Sequence, residues 1–314
     1  MSDIPDIKFI IYDKSRGTRA YADVRSQLGN ERFDAALCMH ASMRANFVSR
    51  LVRTPVRVGY DLSRARDCQW LFTNHRIEAI VRQHVQDAML EFARYIGVPR
   101  RELRWDIPLS SAHREFAAQF ASADRPILVI SPCSSQRSSN FRNWSAENYA
   151  AAANHARHKF NCRVILTGGG SEAEIGYGEV IQKLCGGSLV NLIGKTSLKQ
   201  LLALLEGAVA LLCPDSGPAH MATTVRTPVI GLYATSNPER TGPYLSRDLT
   251  LNAYPEALRK YLGKSPDEVR WGHRVREAHA MGLIRLGRVN EMIDRVFARE
   301  RLAEPLRVDA FSGF

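Results

Sequence analysis

The sequence has no C-x-x-C pair, no long block of consecutive Lys and Arg, and no apolar run approaching the ~18 residues of a membrane span. The first absence argues against a zinc site or a disulfide framework, since the six cysteines (Cys38, Cys68, Cys133, Cys162, Cys185, Cys213) are scattered. Cys38, Cys162 and Cys213 lie in or beside apolar runs, where a thiol acts as a small hydrophobe, and the pattern points to a reducing compartment. The second absence argues against a nucleic-acid tail. The third, with an N-terminus that lacks the basic region and long apolar core of a signal peptide, implies a cytoplasmic protein that is free to rest on a membrane surface. Internal repeats, low-complexity tracts, an Asp-x-Asp metal motif and a G-x-G-x-x-G fingerprint are also missing. Acidic residues are in short supply: 32 Asp and Glu against 43 Lys and Arg leave a formal charge of +11. That excess suggests an anionic partner, and nucleic acid, lipid headgroups and phosphorylated sugars all satisfy it on charge alone.

What is present is an alternation of apolar strand-like runs and helical stretches over 314 residues, enough for two domains. In the first, residues 7–12, 33–38 and 55–60 read as strands and 18–28, 43–52 and 77–96 as helices. Such alternation predicts a parallel sheet. Ser42 can cap the second helix, so His40, Ser42 and Arg44 stand at a strand-to-helix junction, the ligand end of such a sheet. Residues 61–75 read as irregular and basic. A linker with a short helix follows, and the domain boundary is expected near Asp124, dividing the chain into 1–123 and 124–314.

The second half restarts with a strand at 127–131, which opens into a polar loop holding Ser134 and Ser135 and then a helix capped by Ser145. A strand at 164–167 ends in Gly168-Gly169-Gly170, which allows close backbone approach to a ligand, with Glu172 and Glu174 next. A strand at 189–192 and a helix at 198–206 lead to the stretch that organises the chain, residues 207–244. There 209–213 and 228–233 read as buried strands. Between them Pro214-Asp215-Ser216-Gly217-Pro218 is turn chemistry, with Ser216 or Gly217 as helix cap and Pro218 suited to the first helical position. A strand–turn–helix–strand unit aims a helix N-terminus at whatever anion occupies the crevice beyond the strands' carboxyl ends. Helices at 254–263 and 289–299 finish the chain.

Asp215-Ser216-Gly217-Pro218-Ala219-His220-Met221-Ala222, continued by Thr227-Pro228 and Gly231-Leu232-Tyr233, resembles the signature of glycosyltransferase family 9, which holds the ADP-heptose:lipopolysaccharide heptosyltransferases. The segment from Ser131 to Tyr149 resembles the family's H-P-G-[AS]-[ST]…[KR]-x-W-P-x-E-x-[WY], with Ser134 and Ser135 as its hydroxyl pair, Arg142 as its cation and Trp144 as its tryptophan. The resemblance implies an α/β protein of GT-B architecture, two Rossmann-like domains facing a cleft. It implies a donor site of Ser134, Ser135, Arg142, Glu172, Asp215, Ser216, Gly217 and His220, and an acceptor side that includes His40, Ser42 and Arg44. ADP-heptose as donor, lipopolysaccharide core as acceptor, and no cofactor or metal follow in the same way. The Arg-rich segment Arg53 to Arg76, beside the expected acceptor cleft, points to peripheral contact with the inner membrane face and away from nucleic acid.

Two departures stand out. The family's H-P-G is here Ser131-Pro132-Cys133, which puts a side chain where backbone closes on phosphate. The opening strand and Gly-Asp turn, whose Asp is the family's base, have no counterpart, so the first domain is expected to be incomplete and the catalytic base is unassigned. Asp13 and Asp61 could stand in for it, and each also fits as a turn residue. Three functions meet these facts: an inverting sugar transferase, a non-catalytic nucleotide-sugar binding protein, and an epimerase or hydrolase of the same architecture.

Overall fold

The computed structural model describes residues 4–98, 101–122, 124–134 and 140–308, the side chains beyond residue 299 apart. The chain divides into two compact units, Met1–Arg104 and Trp105–Phe314. The sequence put the boundary about a helix later. The intervening helix packs on an element of the second unit, which draws it across.

Unit 1 contains α1 (Arg19–Leu28), β1 (Ala35–Leu37), α2 (Met43–Leu51), β2 (Val56–Gly59), β3 (His75–Arg76) and α3 (Val85–Tyr95). Its three strands are parallel in the order β1-β2-β3. The core is small: Val58, Ile77 and Phe92 are buried, and Tyr60 sets its ring edge-on to Phe92 at 5.0 Å. Two expectations fail here. Residues 7–12 form no strand, because the backbone of Ile11 is held by a side chain, exchanging bonds of 3.3 Å with the Gln27 amide of α1. The helix expected over 77–96 starts only at Val85. Ile77 is instead held at the sheet by a bond from its N–H to the Gly59 carbonyl, Arg82 turns left-handed, and His84 caps α3 through Nδ1.

Unit 2 runs α4 (Ser111–Ala118), β4 (Ile127–Ile130), α5 (Ala146–Phe160), β5 (Arg163–Leu166), α6 (Glu172–Leu184), β6 (Val190–Asn191), α7 (Leu198–Glu206), β7 (Ala210–Pro214), α8 (Gly217–Thr224), β8 (Val229–Tyr233), α9 (Pro238–Thr241), β9 (Leu251–Asn252), α10 (Tyr254–Leu262) and α11 (Leu286–Val308). The six strands pair in parallel in the order β6-β5-β4-β7-β8-β9. This is the doubly wound order, and it reverses between β4 and β7. Strands buried on both faces need apolar residues throughout, and all five residues of β7 and of β8 are buried. Leu128, Ile130 and Leu212 face one layer, under α5, α10 and α11, while Val129, Leu211 and Cys213 face the other, under α4, α7 and α8. Strand registration follows from this two-sided core, because a one-residue slip would exchange the two layers.

Candidate functional site

Ligands of such sheets bind beyond the strand ends at the point of reversal, and β4 and β7 run into polar segments there, 131–134 after β4 and 215–217 after β7. Asp215 follows β7 directly and is buried. Ser216 is the N-cap of α8 in extended backbone, with Gly217 as first and Pro218 as second helical residue. The Ser216 hydroxyl donates to the Pro214 carbonyl at 3.2 Å and makes no capping bond, so it leaves the first-turn N–H groups of α8 unclaimed by its side chain. His220, four residues on, is exposed.

Arg142 bridges the two loops. Its Nη1 donates to the Asp215 carbonyl at 2.9 Å and lies 3.6 Å from Asp215 Oδ2. Tyr233, at the end of β8, is buried beside them; burial, then the charge of Asp215, pushes its phenol well up from the ordinary value. Its ring occupies the space over Gly231, where an added Cβ would come within 2.9 Å of Tyr233 Cε2.

Ser134 is buried, and its hydroxyl donates to Asn140 Oδ1 at 2.7 Å. The same oxygen accepts the Arg142 N–H at 3.1 Å, and the Ser134 N–H donates to Asn143 Oδ1 at 3.0 Å. Asn140 and Asn143 thus fold the loop so that the guanidinium reaches Asp215. Sequence reasoning passed over both, although an Asn beside a Ser-rich turn is the usual side-chain mimic of backbone. Ser135 lies outside the described residues. Ser145 caps α5 by accepting the Asn148 N–H, as its position predicts.

The Gly168–Gly170 turn closes on protein. Gly169 donates its N–H to Glu174 Oε1 at 3.3 Å, and Ser171 Oγ donates to Glu174 Oε2 at 2.8 Å. A Cβ on Gly194 would sit 3.1 Å from Gly170 Cα. Glu174 is therefore the buried brace of this turn, a role readable from the S-x-x-E spacing after the glycines, whereas Glu172 is exposed on the first turn of α6. Cys133, in the place of the family's Gly, is buried; burial and then the Glu174 charge push its thiol up to about 12, so it is an inert thiol there.

In unit 1, Ser42 Oγ accepts the Ala45 N–H at 3.3 Å as the N-cap of α2. His40 is exposed, and Arg44, also exposed, lies 5.8 Å from the centre of the Tyr12 ring. The alternative bases are turn residues. Asp13 accepts from the hydroxyl and N–H of Ser15, which hold its carboxyl below the ordinary value. Burial raises the Asp61 carboxyl, but the Ser63 hydroxyl and the Arg64 guanidinium outweigh it and leave it lowered. A carboxylate held ionised by such bonds is a weak proton acceptor.

The profile described as Glycosyltransferase family 9 (heptosyltransferase) matches residues 21–263. The lipopolysaccharide core heptosyltransferase OpsX of Haemophilus influenzae is 41% identical over 281 residues, covering 90% of this chain and 80% of its own. Among solved structures, the family 9 glycosyl transferase of Veillonella parvula superposes with a TM-score of 0.68 at 16% identity, over 91% of this chain and 80% of that one. The E. coli ADP-heptose heptosyltransferase II gives 0.63 at 20% identity, over 90% and 81%. These two superpositions establish the α/β GT-B fold.

Proposed function

The chain belongs to glycosyltransferase family 9, and we infer from that membership that it moves a heptose from ADP-heptose to a lipopolysaccharide core acceptor. It is a glycosyltransferase, and the donor and acceptor follow those named for its relatives. The observation that carries the chemistry is the Arg142–Asp215 link, which sets a cation and the open N-terminus of α8 at the reversal of the sheet. A departing diphosphate needs that charge: preformed donors aimed at developing negative charge give the largest single contribution to such reactions.

In this reading Arg142, Ser134, Ser135, Ser216, Gly217 and His220 hold the donor diphosphate, Asp215 orients Arg142, and Glu172 reaches the nucleoside. His40, Ser42 and Arg44 belong to the acceptor side. Transfer is a single displacement by an acceptor hydroxyl that inverts the anomeric carbon. Arg142 and the helix N–H groups supply the charge neutralisation that other transferases take from a metal. The chain works in the cytoplasm, in contact with the inner membrane face that carries its acceptor; among the described residues no helix is long and apolar enough to cross a membrane.

The test is one radiolabel experiment with ADP-heptose, with and without core acceptor. Label in the lipid fraction only when acceptor is present supports transfer. Free sugar or epimer without acceptor would replace the reading by a hydrolase or epimerase, and binding without turnover by a binding protein.

A further inference from the structure

Two neighbouring elements of unit 1 are folded inside out. Helix α2 buries Asn46 and Ser49 and exposes Met43 and Phe47, at 41% and 49%. The 3-10 turn Gln69–Leu71 buries Gln69 completely and exposes Trp70 and Leu71, at 48% and 60%. The inversion has a cause on the inner side. Asn46 Nδ2 donates to the Asp67 carbonyl at 2.8 Å, and Asp67 Oδ2 accepts the Met43 N–H at 2.9 Å, so the polar residues lock the 66–72 loop onto the helix. Gln69 likewise donates to the Cys38 carbonyl and accepts the Tyr60 N–H, at 2.8 and 3.0 Å. With the inner contacts made by amides, the large apolar side chains are turned outward. Phe72, next to Leu71, meets Phe47 ring to ring at 5.3 Å, which joins the two elements into one surface.

Exposed aromatic and aliphatic residues in a contiguous patch mark an interaction site. The charge around this one selects the partner. Arg44, Arg50 and Arg66 are exposed on the same two segments, and the whole chain carries +11. Trp with Leu and Phe, bordered by Arg, is the composition that settles at a lipid–water interface. There the indole takes the headgroup level and each cation adds attraction to an anionic leaflet.

We propose that Met43, Phe47, Trp70 and Leu71 form the face by which the protein docks on an anionic lipid bilayer, with Arg44, Arg50 and Arg66 against the headgroups. The proposal deepens the membrane contact of the functional reading and rests on that part of it. Docking by this face would hold unit 1, which carries the proposed acceptor side, at the surface where a lipid-linked acceptor resides.

The experiment is sedimentation of the full chain with phosphatidylglycerol vesicles and with phosphatidylcholine vesicles, alongside ADP titration. The expected result is binding to the anionic vesicles alone, weakened several-fold between low and physiological salt. It should fall at least tenfold in Trp70→Ser/Leu71→Ser, with ADP affinity and the thermal melt unchanged because both residues are at the surface. Trp70→Phe should keep vesicle binding and abolish a blue shift of tryptophan fluorescence on vesicles. Equal binding by wild type and the double variant would overturn the proposal. So would a concentration-dependent dimer that the double variant dissolves, which would assign the face to a second copy. A chain that transfers sugar to acceptor in detergent yet ignores vesicles removes the docking face and leaves the enzyme reading standing. One that docks through Trp70 but binds no ADP does the reverse.

Discussion

Arg142 donates from Nη1 to the main-chain carbonyl of Asp215 at 2.9 Å across a sequence separation of 73, fastening the loop after β4 to the turn after β7. The contact uses the backbone oxygen, and the Asp215 carboxylate stands off at 3.6 Å. The position of the guanidinium is thus tied to the end of β7 through main-chain chemistry, independently of the Asp215 carboxylate.

Arg142→Ala should raise the dissociation constant for ADP roughly tenfold to a hundredfold, because a charge-assisted bond contributes about 1.5–3 kcal/mol. Arg142→Lys should recover part of the affinity, since an ammonium keeps the charge and loses the fork. Calorimetric titration reads both. Unchanged affinity in Arg142→Ala would remove the residue from the site.

His220→Ala separates a ligand contact from a structural role. The side chain is exposed, so its loss should leave thermal stability within ~0.5 kcal/mol. ADP affinity should still fall severalfold, because the imidazole stands on the first turns of α8. A marked drop in melting temperature with unaltered affinity would make the residue structural.

The parallel sheets, the strand–turn–helix at 210–224 and the cap residues Ser42, Ser145 and Ser216 were legible because each rests on local pattern or backbone chemistry. The strands of two residues, β3, β6 and β9, carry too little pattern to bound from sequence. The helix expected over 77–96 shows the limit of periodicity: its first eight positions have suitable spacing, but a sheet contact at Ile77 and a left-handed Arg82 override it. Residues 7–12 make an apolar run of strand length, yet pairing depends on a neighbour that a local pattern cannot supply. In the candidate site, the motifs single out Arg142, Asp215 and Ser216, and the fold brings Arg142 onto Asp215. The amides of Asn140 and Asn143 could not be ranked above the other polar residues of their loop, because their role is set by which oxygen each meets. Gly168–Gly170 was read as an opening for ligand, but the carboxylate that fills the approach to Gly169 comes from Glu174, five residues away.

That last contact gives a coupling to measure. A Cβ on Gly169 would fall 2.5 Å from Glu174 Oε2, and the carboxylate is held by Gly169 N–H and Ser171 Oγ. Gly169→Ala should therefore destabilise by about 1–3 kcal/mol, as overpacking does. Glu174→Ala should remove most of that cost when the two are combined. The expected interaction energy in the double-mutant cycle is above ~0.5 kcal/mol. Additive effects in denaturant unfolding would show that the brace does not limit residue 169.

The final prediction concerns acid. Asp61 is buried at the start of the 61–75 segment, its carboxylate accepting from Ser63 N–H, Ser63 Oγ and Arg64 Nε. Burial works against the charged form, but these donors outweigh it, so the folded-state value lies below the ordinary one. A carboxyl whose value is depressed by folding adds stability at pH above its unfolded value, about 3.9, and that stability is lost as pH falls through the folded value. Arg64 stays charged across this range, so the dependence belongs to Asp61. Asp61→Asn removes the charge and should lower stability at pH 7 by about 1–3 kcal/mol. The melting temperatures of wild type and variant should then converge as pH drops from 5 toward 3, because wild type loses what the variant never had. A gap that stays constant over that interval would mean the Asp61 carboxylate contributes nothing through its charge, and the turn is held by Ser63 and the backbone alone.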